Sequence, residues 1–288
     1  MSININIIKA VDCYLTTKAK GNDRDFSYFH ASSWDNCHRQ TAYAYYEAKG
    51  IITINDLAIK ISPQLERIFD NGHYLHYRYG SYLEKACKNA LWGQWKCLNL
   101  SGHSKPMVYG LDSKLGCPKP DQCECGCTEF QYVEIGFRDE ELWWGGHVDG
   151  IIDITKWANA DLGEYTAENI PREERFFVID FKSMNPFSFK DLKKPKPEHL
   201  TQMQIYLYLS GLKYGKFLYE NKGDQSVKEY LVEKDDAVIA IKREEAVILK
   251  HRLTHTNSVG KHVLPPRGYD SKGCTTCLQC KYRGHCWT

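Results

Sequence analysis

Two short runs decide the reading of this chain: Gly145-Gly146-His147-Val148-Asp149-Gly150-Ile151-Ile152-Asp153 and Phe176-Phe177-Val178-Ile179-Asp180-Phe181-Lys182-Ser183. Each is an apolar, β-branched or aromatic stretch carrying acid, which is how a buried strand presents a carboxylate at its end. The second run adds a lysine two residues after its aspartate. Strand side chains alternate faces, so Asp180 and Lys182 project to one side, about 6–7 Å apart along the strand. A carboxylate on one strand, facing a carboxylate and an amine on its neighbour, makes a site for a hard divalent cation and an activated water. The segment between Asp153 and Phe176 reads as a variable connection.

Composition bounds what surrounds these runs. At 288 residues, 42% hydrophobic and 26% charged, the chain has the make-up of a globular protein with a sizeable core, in one large domain or two smaller ones. A net charge of +2 supplies no general attraction for nucleic acid, so such a partner needs a local basic patch. No apolar run is long enough to span a membrane, and Met1-Ser2-Ile3-Asn4 lacks a signal-peptide core, so the expected location is cytoplasmic. Twelve cysteines in a reducing compartment point to metal ligands before disulfides. Four lie within 117–127 and four within 274–286, while Cys13, Cys37, Cys87 and Cys97 stand apart.

Outward from the central runs, residues 5–20 read as a short amphipathic helix. Ser32 and Ser33 read as the N-cap of a second helix running to about Lys49, with Cys37 in its first turns, where a buried core thiol is the plain alternative to a ligand. Ser62-Pro63 opens a longer helix in which His76 follows Gly72 by one turn. Glycines at 72 and 80 imply close packing against that face, and His76 by itself is a core histidine. Residues 97–133 read as a Cys-rich insertion. Cys117, Cys123, Cys125 and Cys127 lie there amid proline and glycine, and a tetrahedral zinc site would supply the folding energy that so little apolar material cannot; Cys97 or His103 can replace one of the four. Lys190, Lys193, Lys194 and Lys196 sit on an exposed loop, equally suited to phosphate contacts or to plain solvation. His199–Gly211 is a helix closed by glycine, with Gln204 and Tyr208 on one face. Lys216–Glu220 and Val227–Glu233 form a hairpin, and residues 235–256 a charged helix.

In this order, Gly72-x-x-x-His76, Gly146-x-x-Asp149, Asp180-x-Lys182 and Gln204-x-x-x-Tyr208 resemble the RecB-like branch of the PD-(D/E)XK nuclease superfamily. Cys37 together with Cys277-x2-Cys280-x5-Cys286 looks like the iron–sulfur nucleases of the AddB and CRISPR-associated RecB-like type, and the Lys222 hairpin and Leu264-Pro265-Pro266 look like phage-encoded members. The resemblance covers Cys37 to Cys286 and implies a restriction-endonuclease-like α/β core with a central mixed sheet flanked by helices. It implies Mg²⁺ or Mn²⁺ held by His76, Asp149, Asp180 and the Phe181 carbonyl, with Lys182 catalytic and Gln204 and Tyr208 supporting the lysine and the DNA backbone. It also implies a [4Fe–4S] cluster on Cys37, Cys277, Cys280 and Cys286 that staples the termini. Zinc accepts the same four thiolates, and Cys274 is a fifth thiol read as a bystander.

The expectation is therefore a single nuclease domain over 1–288, with the 97–133 insertion and a cysteine segment at 270–288. Its expected activity is metal-dependent exonuclease hydrolysis of single-stranded DNA or DNA ends in recombination or DNA processing. The alternative is a DNA-end-binding component of a larger recombination or CRISPR-adaptation-like complex, with a supplementary nuclease site. A second copy of the chain or a recombination-complex partner is compatible with either.

Overall fold

A computed structural model describes residues 7–17, 25–54, 62–157, 162, 164–256 and 262–287. By its internal contacts the chain divides into two compact units. One comprises Phe29–Asp35 and Leu75–Val247, the other Met1–Tyr28, Asn36–Tyr74 and Ile248–Thr288.

The larger unit is mixed α/β. Its described strands are β1 (Phe29–His30), β2 (Leu91–Cys97), β3 (Val108–Tyr109), β4 (Cys117–Pro118), β5 (Phe130–Val133), β6 (Ile135–Asp139), β7 (Trp144–Val148), β8 (Gly150–Asp153), β9 (Phe176–Met184), β10 (Tyr214–Asn221) and β11 (Val227–Glu233). Eight form a sheet in the order β11-β10-β9-β8-β2-β3, with β4 and β5 also paired to β2. The remaining three form a smaller sheet in the order β1-β7-β6. The strands β9 and β10 run parallel, and β8 runs antiparallel to β9, so the large sheet is mixed. Alternation sets its core: in β2, Leu91, Gly93, Trp95 and Cys97 are buried while Trp92, Gln94 and Lys96 are partly open.

A parallel pair needs a crossover, and here it is helical. It contains α5 (Pro186–Lys190) and α6 (Pro197–Ser210), between β9 and β10, while a short α4 (Arg172–Arg175) precedes β9. Proline at the first position starts α6, and Gly211, at φ 77°, ends it in the left-handed region that favours glycine. Nine of its fourteen residues are buried on all sides, so its apolar periodicity carries no directional signal.

The expected insertion is built into the sheet rather than hung from it. Its strands β3, β4 and β5 pair with β2, and Trp95, Cys97, Phe130 and Cys123 pack in one cluster with Tyr109. The segment thus has more apolar material to fold around than its prolines and glycines suggest.

The smaller unit contains α1 (Ile7–Thr17), α2 (His38–Ala48), α8 (Thr275–Leu278) and α9 (Arg283–Cys286), while α3 (Pro63–Cys87) and α7 (Asp236–Thr254) contribute residues to both units. Residues 5, 6 and 18–20 of the expected first helix lie outside the described residues. Cys37 itself is the N-cap of α2; Ser33 instead donates to the His30 carbonyl within a 3₁₀ turn, which corrects the expected serine cap. A Cβ at Gly80 would meet nothing within 4 Å, so the close packing expected there is absent. Tyr43 stacks on Tyr282 at 5.5 Å, and Glu47 accepts from Lys281 and from the Tyr282 hydroxyl at 2.6 and 2.7 Å. Among the described residues, no helix is long and apolar enough to cross a membrane.

Candidate active site

The chain changes sheet at Asp149, between the end of β7 and the start of β8. The β8–β9 register pairs Gly150 with Ile179, so Asp149 falls opposite Asp180. With β8 starting one residue later, no ladder carbonyl is available there, and Asp149 Oδ2 accepts the Phe181 N–H at 2.6 Å. In an extended strand the N–H and C=O of one residue point to the same side, so the Phe181 carbonyl lies on this edge too. Asp149 Oδ1 is 2.8 Å from His76 Nδ1 on α3. The His76 ring stands edge-on to Phe181 at 6.2 Å.

Asp180 is buried, and Lys182, two residues on, places Nζ 2.7 Å from its Oδ1. Gln202 on α6 bridges the pair: its Oε1 accepts from Lys182 Nζ at 2.9 Å, and its Nε2 donates to Asp180 Oδ2 at 3.0 Å. The same Nε2 lies 2.9 Å from the Tyr206 hydroxyl, one helical turn along. Tyr206 in turn explains Gly146, because a Cβ there would lie 2.7 Å from the Tyr206 Cε1.

The residues expected to perform this support do not reach the site. Gln204 donates to the Glu233 carbonyl and accepts from the Asp235 N–H, both at 2.8 Å, pinning α6 to the end of β11. Tyr208 donates to Asp139 at 3.0 Å, beside a cavity of about 510 Å³ lined also by Gln94, Lys114 and Arg138. An offset of two residues turns a helical side chain by about 200°, to the opposite face. Asp153, the other acid of the first run, is also outside the site: it is buried, held by Arg175 through two bonds at 3.0 and 2.5 Å, and accepts from Thr155.

Two further residues join the constellation without having been foreseen. Glu134 precedes β6, and extending the Ile135–Val148 register by one residue sets it opposite Asp149. Ligating atoms of His76, Glu134 and Asp149 lie within 4.8 Å of one another. His199 on α6 lies 2.8 Å from the Tyr219 hydroxyl, and Tyr219 pairs in register with Lys182.

The electrostatics describe a site crowded with anions. Burial raises the Asp180 carboxyl to about 6 despite Lys182, and the charge of Asp149 adds to the rise. Glu134 is pushed up to about 7, first by desolvation and then by Asp149. Burial alone would lower His76, but the hydrogen bond and charge of Asp149 outweigh it and the imidazole is raised. His199 moves the other way, down to about 3, through burial and then the positive charges of Lys182 and Lys196. Three mutually repelling carboxylates and a histidine, all oxygen or imidazole donors, fit a hard divalent cation. Of the lysines beside the site, Lys190, Lys193 and Lys194 are exposed and Lys196 partly so.

The cysteines fall into two groups. Ligating atoms of Cys97, His103, Cys123 and Cys125 lie within 4.8 Å of one another. Cys117, expected among zinc ligands, is instead in β4, paired with Gly93, while Cys127 contacts the Glu129 backbone and also packs beside Cys97 without joining that group. In the smaller unit, Cys37, Cys277, Cys280 and Cys286 line one pocket beside the stacked Tyr43 and Tyr282. Cys274 is occupied as the N-cap of α8, its Sγ accepting the Cys277 N–H at 3.4 Å. Four thiols around an aromatic pocket are a donor set that fits an iron–sulfur cluster.

No protein-family profile matches the chain, and no curated protein matches it. Solved structures similar to it include SSO0001, at 16% identity and a TM-score of 0.42, covering 85% of this chain and 87% of that one. LHK-Exo, an alkaline exonuclease from Laribacter hongkongensis, solved with dAMP, is 15% identical with a TM-score of 0.42, covering 79% and 88%. A phage-related exonuclease from Haemophilus somnus 129PT is 14% identical with a TM-score of 0.26, covering 41% and 56%.

Proposed function

We propose that this chain is a divalent-metal-dependent DNA exonuclease that acts on single strands or ends during recombination or DNA processing. The observation that carries the reading is the convergence of His76, Asp149, Asp180 and Lys182 at the β8–β9 edge, with Gln202 fixing the lysine against the aspartate. A lone ion pair would need neither the histidine nor the crowded carboxylates.

His76, Asp149, Asp180 and the Phe181 carbonyl are the groups that would hold Mg²⁺ or Mn²⁺, with Glu134 beside them. When bound, such a cation neutralises phosphate charge and lowers the pKa of an attacking water. Lys182 is the residue positioned to orient that water and to stabilise negative charge as it develops on the phosphate. Gln202 holds the Lys182 amine through Oε1, and Tyr206 fixes the Gln202 amide. His199, held neutral, adds no second positive charge behind the lysine. Lys190, Lys193 and Lys194 offer phosphate contacts to the DNA backbone.

Cys37, Cys277, Cys280 and Cys286 are assigned a [4Fe–4S] cluster that closes a long loop between the start of α2 and the C-terminal segment. The nuclease reading is tested by incubating purified protein with end-labelled single- and double-stranded DNA in Mg²⁺ or Mn²⁺, against the Lys182→Ala variant. Release of nucleotides by the wild type alone supports it.

A further inference from the structure

The second metal-ligand cluster has no part in the chemistry above, yet its geometry is specific. Cys97 and Cys125 place their sulfurs 3.7 Å apart, and His103 Nε2 lies 3.2 Å from Cys123 Sγ. Each of the three thiols also meets an N–H donor. The Asn99 backbone N–H serves Cys97, the Cys125 backbone N–H serves Cys123, and the Asn99 side-chain amide reaches Cys125 at 3.6 Å. Backbone N–H groups two residues after a cysteine, aimed at its sulfur, stabilise thiolates and orient them as ligands. Cys127 receives the Glu129 N–H in the same way and neighbours Cys97, but the group whose ligand atoms all lie within 4.8 Å of one another is Cys97, His103, Cys123 and Cys125.

The local backbone is shaped to present them. Cys123 N–H donates to the Cys127 carbonyl and Gly126 N–H to the Cys123 carbonyl, both at 2.8 Å. Gly126 takes φ 84° in this turn, where a residue with a Cβ would be strained. Cys97 is fully buried at the end of β2, whose other end pairs with β8 just past Asp149. Asn99, besides reaching Cys125, caps the 3₁₀ turn that leads to His103.

We propose that Cys97, His103, Cys123 and Cys125 hold one structural zinc ion in a tetrahedral site of three sulfurs and one nitrogen. Three thiolates with one imidazole match zinc, whereas an iron–sulfur cluster of the usual kind takes four thiolates. The ion ties the loop 98–122 and the 123–127 turn to the end of β2, so its role is to hold that edge of the sheet. It does not depend on the hydrolytic reading.

The test is zinc analysis of the full chain purified under reducing conditions, with X-ray absorption at the zinc edge. The expected result is one zinc per chain, surrounded by three sulfurs at about 2.3 Å and one nitrogen at about 2.0–2.1 Å. Absence of zinc, or an all-sulfur shell, overturns the assignment. Serine at Cys97 or Cys123 risks unfolding, so two milder variants carry the rest of the test. Cys117→Ser is expected to keep its zinc, and loss of the ion in that variant overturns the ligand set. His103→Cys is expected to keep zinc while its shell becomes all sulfur, and a shell unchanged from wild type overturns the role of His103.

Discussion

Lys182 Nζ lies 2.7 Å from Asp180 Oδ1, and both residues are tied to the same Gln202 amide. A buried carboxylate paired with an amine can be a purely structural ion pair. This one lies across the sheet edge from Asp149, His76 and Glu134, where added negative charge makes a cation welcome and an ordinary salt bridge poor value for stability.

The two overlapping Gln-x-x-x-Tyr pairs of α6 separate function from packing. Gln202→Ala frees the lysine and the Asp180 carboxylate, so kcat is expected to fall about 10- to 100-fold, an effect of the size seen when a supporting shell around ligands is lost. Gln204→Ala breaks two part-buried bonds to Glu233 and Asp235 and is expected to cost about 1–3 kcal/mol in denaturant unfolding while leaving kcat near wild type. Nuclease kinetics and unfolding curves on both variants check the pair.

Gly146→Ala puts a methyl 2.7 Å from the Tyr206 ring, which is fully boxed in on a buried helix. The ring must shift, dragging Gln202 with it. Expected are a loss of about 1–3 kcal/mol from overpacking and a drop in activity, whereas Gly80→Ala, in open space, is expected to raise stability by a few tenths to about 1 kcal/mol. Thermal unfolding of both variants is the measurement.

Much of this site is legible in the sequence, and the misses have physical causes. Asp149, Asp180 and Lys182 stand out because acids and an amine inside apolar runs are costly unless they serve something. Gln202-Met203-Gln204-Ile205-Tyr206-Leu207-Tyr208 contains two copies of the same motif, and a helix buried all round offers no apolar stripe to choose between them. Glu134 depends on strand register: only the pairing of β6 with β7 puts it opposite Asp149. The thiol cluster depends on a contact between β2 and a turn more than twenty residues away, so local crowding of cysteines puts Cys117 and Cys127 first and leaves Cys97 or His103 as replacements for one of the four, whereas both join the group.

Asp180 and Glu134 titrate at about 6 and about 7 in the folded chain, above the ordinary carboxyl range. These two carboxyls therefore hold more protons in the folded than in the unfolded chain between about pH 4 and 7, and in the metal-free protein the stability they contribute is expected to be lost as pH rises through that window, His199 contributing in the opposite sense. A divalent cation displaces those protons, so its affinity is expected to rise over the same range. Calorimetric titration with Mn²⁺ checks this: proton release at pH 6 and little at pH 8.

Among the terminal cysteines, Cys280→Ser removes an assigned cluster ligand and is expected to yield colourless protein with little iron. Cys274→Ala removes only the cap of α8, which is expected to cost about 1 kcal/mol and to leave brown, iron-containing protein. Iron content and visible absorption of anaerobically purified protein distinguish the two.

The central claim is hydrolysis at the Asp149–Asp180–Lys182 edge, and the most direct measurement is the rate of nucleotide release from end-labelled DNA in Mg²⁺ by wild type, Asp180→Asn and Lys182→Ala, each with its circular dichroism spectrum. The expected result is loss of at least three orders of magnitude in rate in both variants, equivalent to about 4 kcal/mol or more of transition-state stabilisation, with native spectra. Full activity in either folded variant would contradict the account.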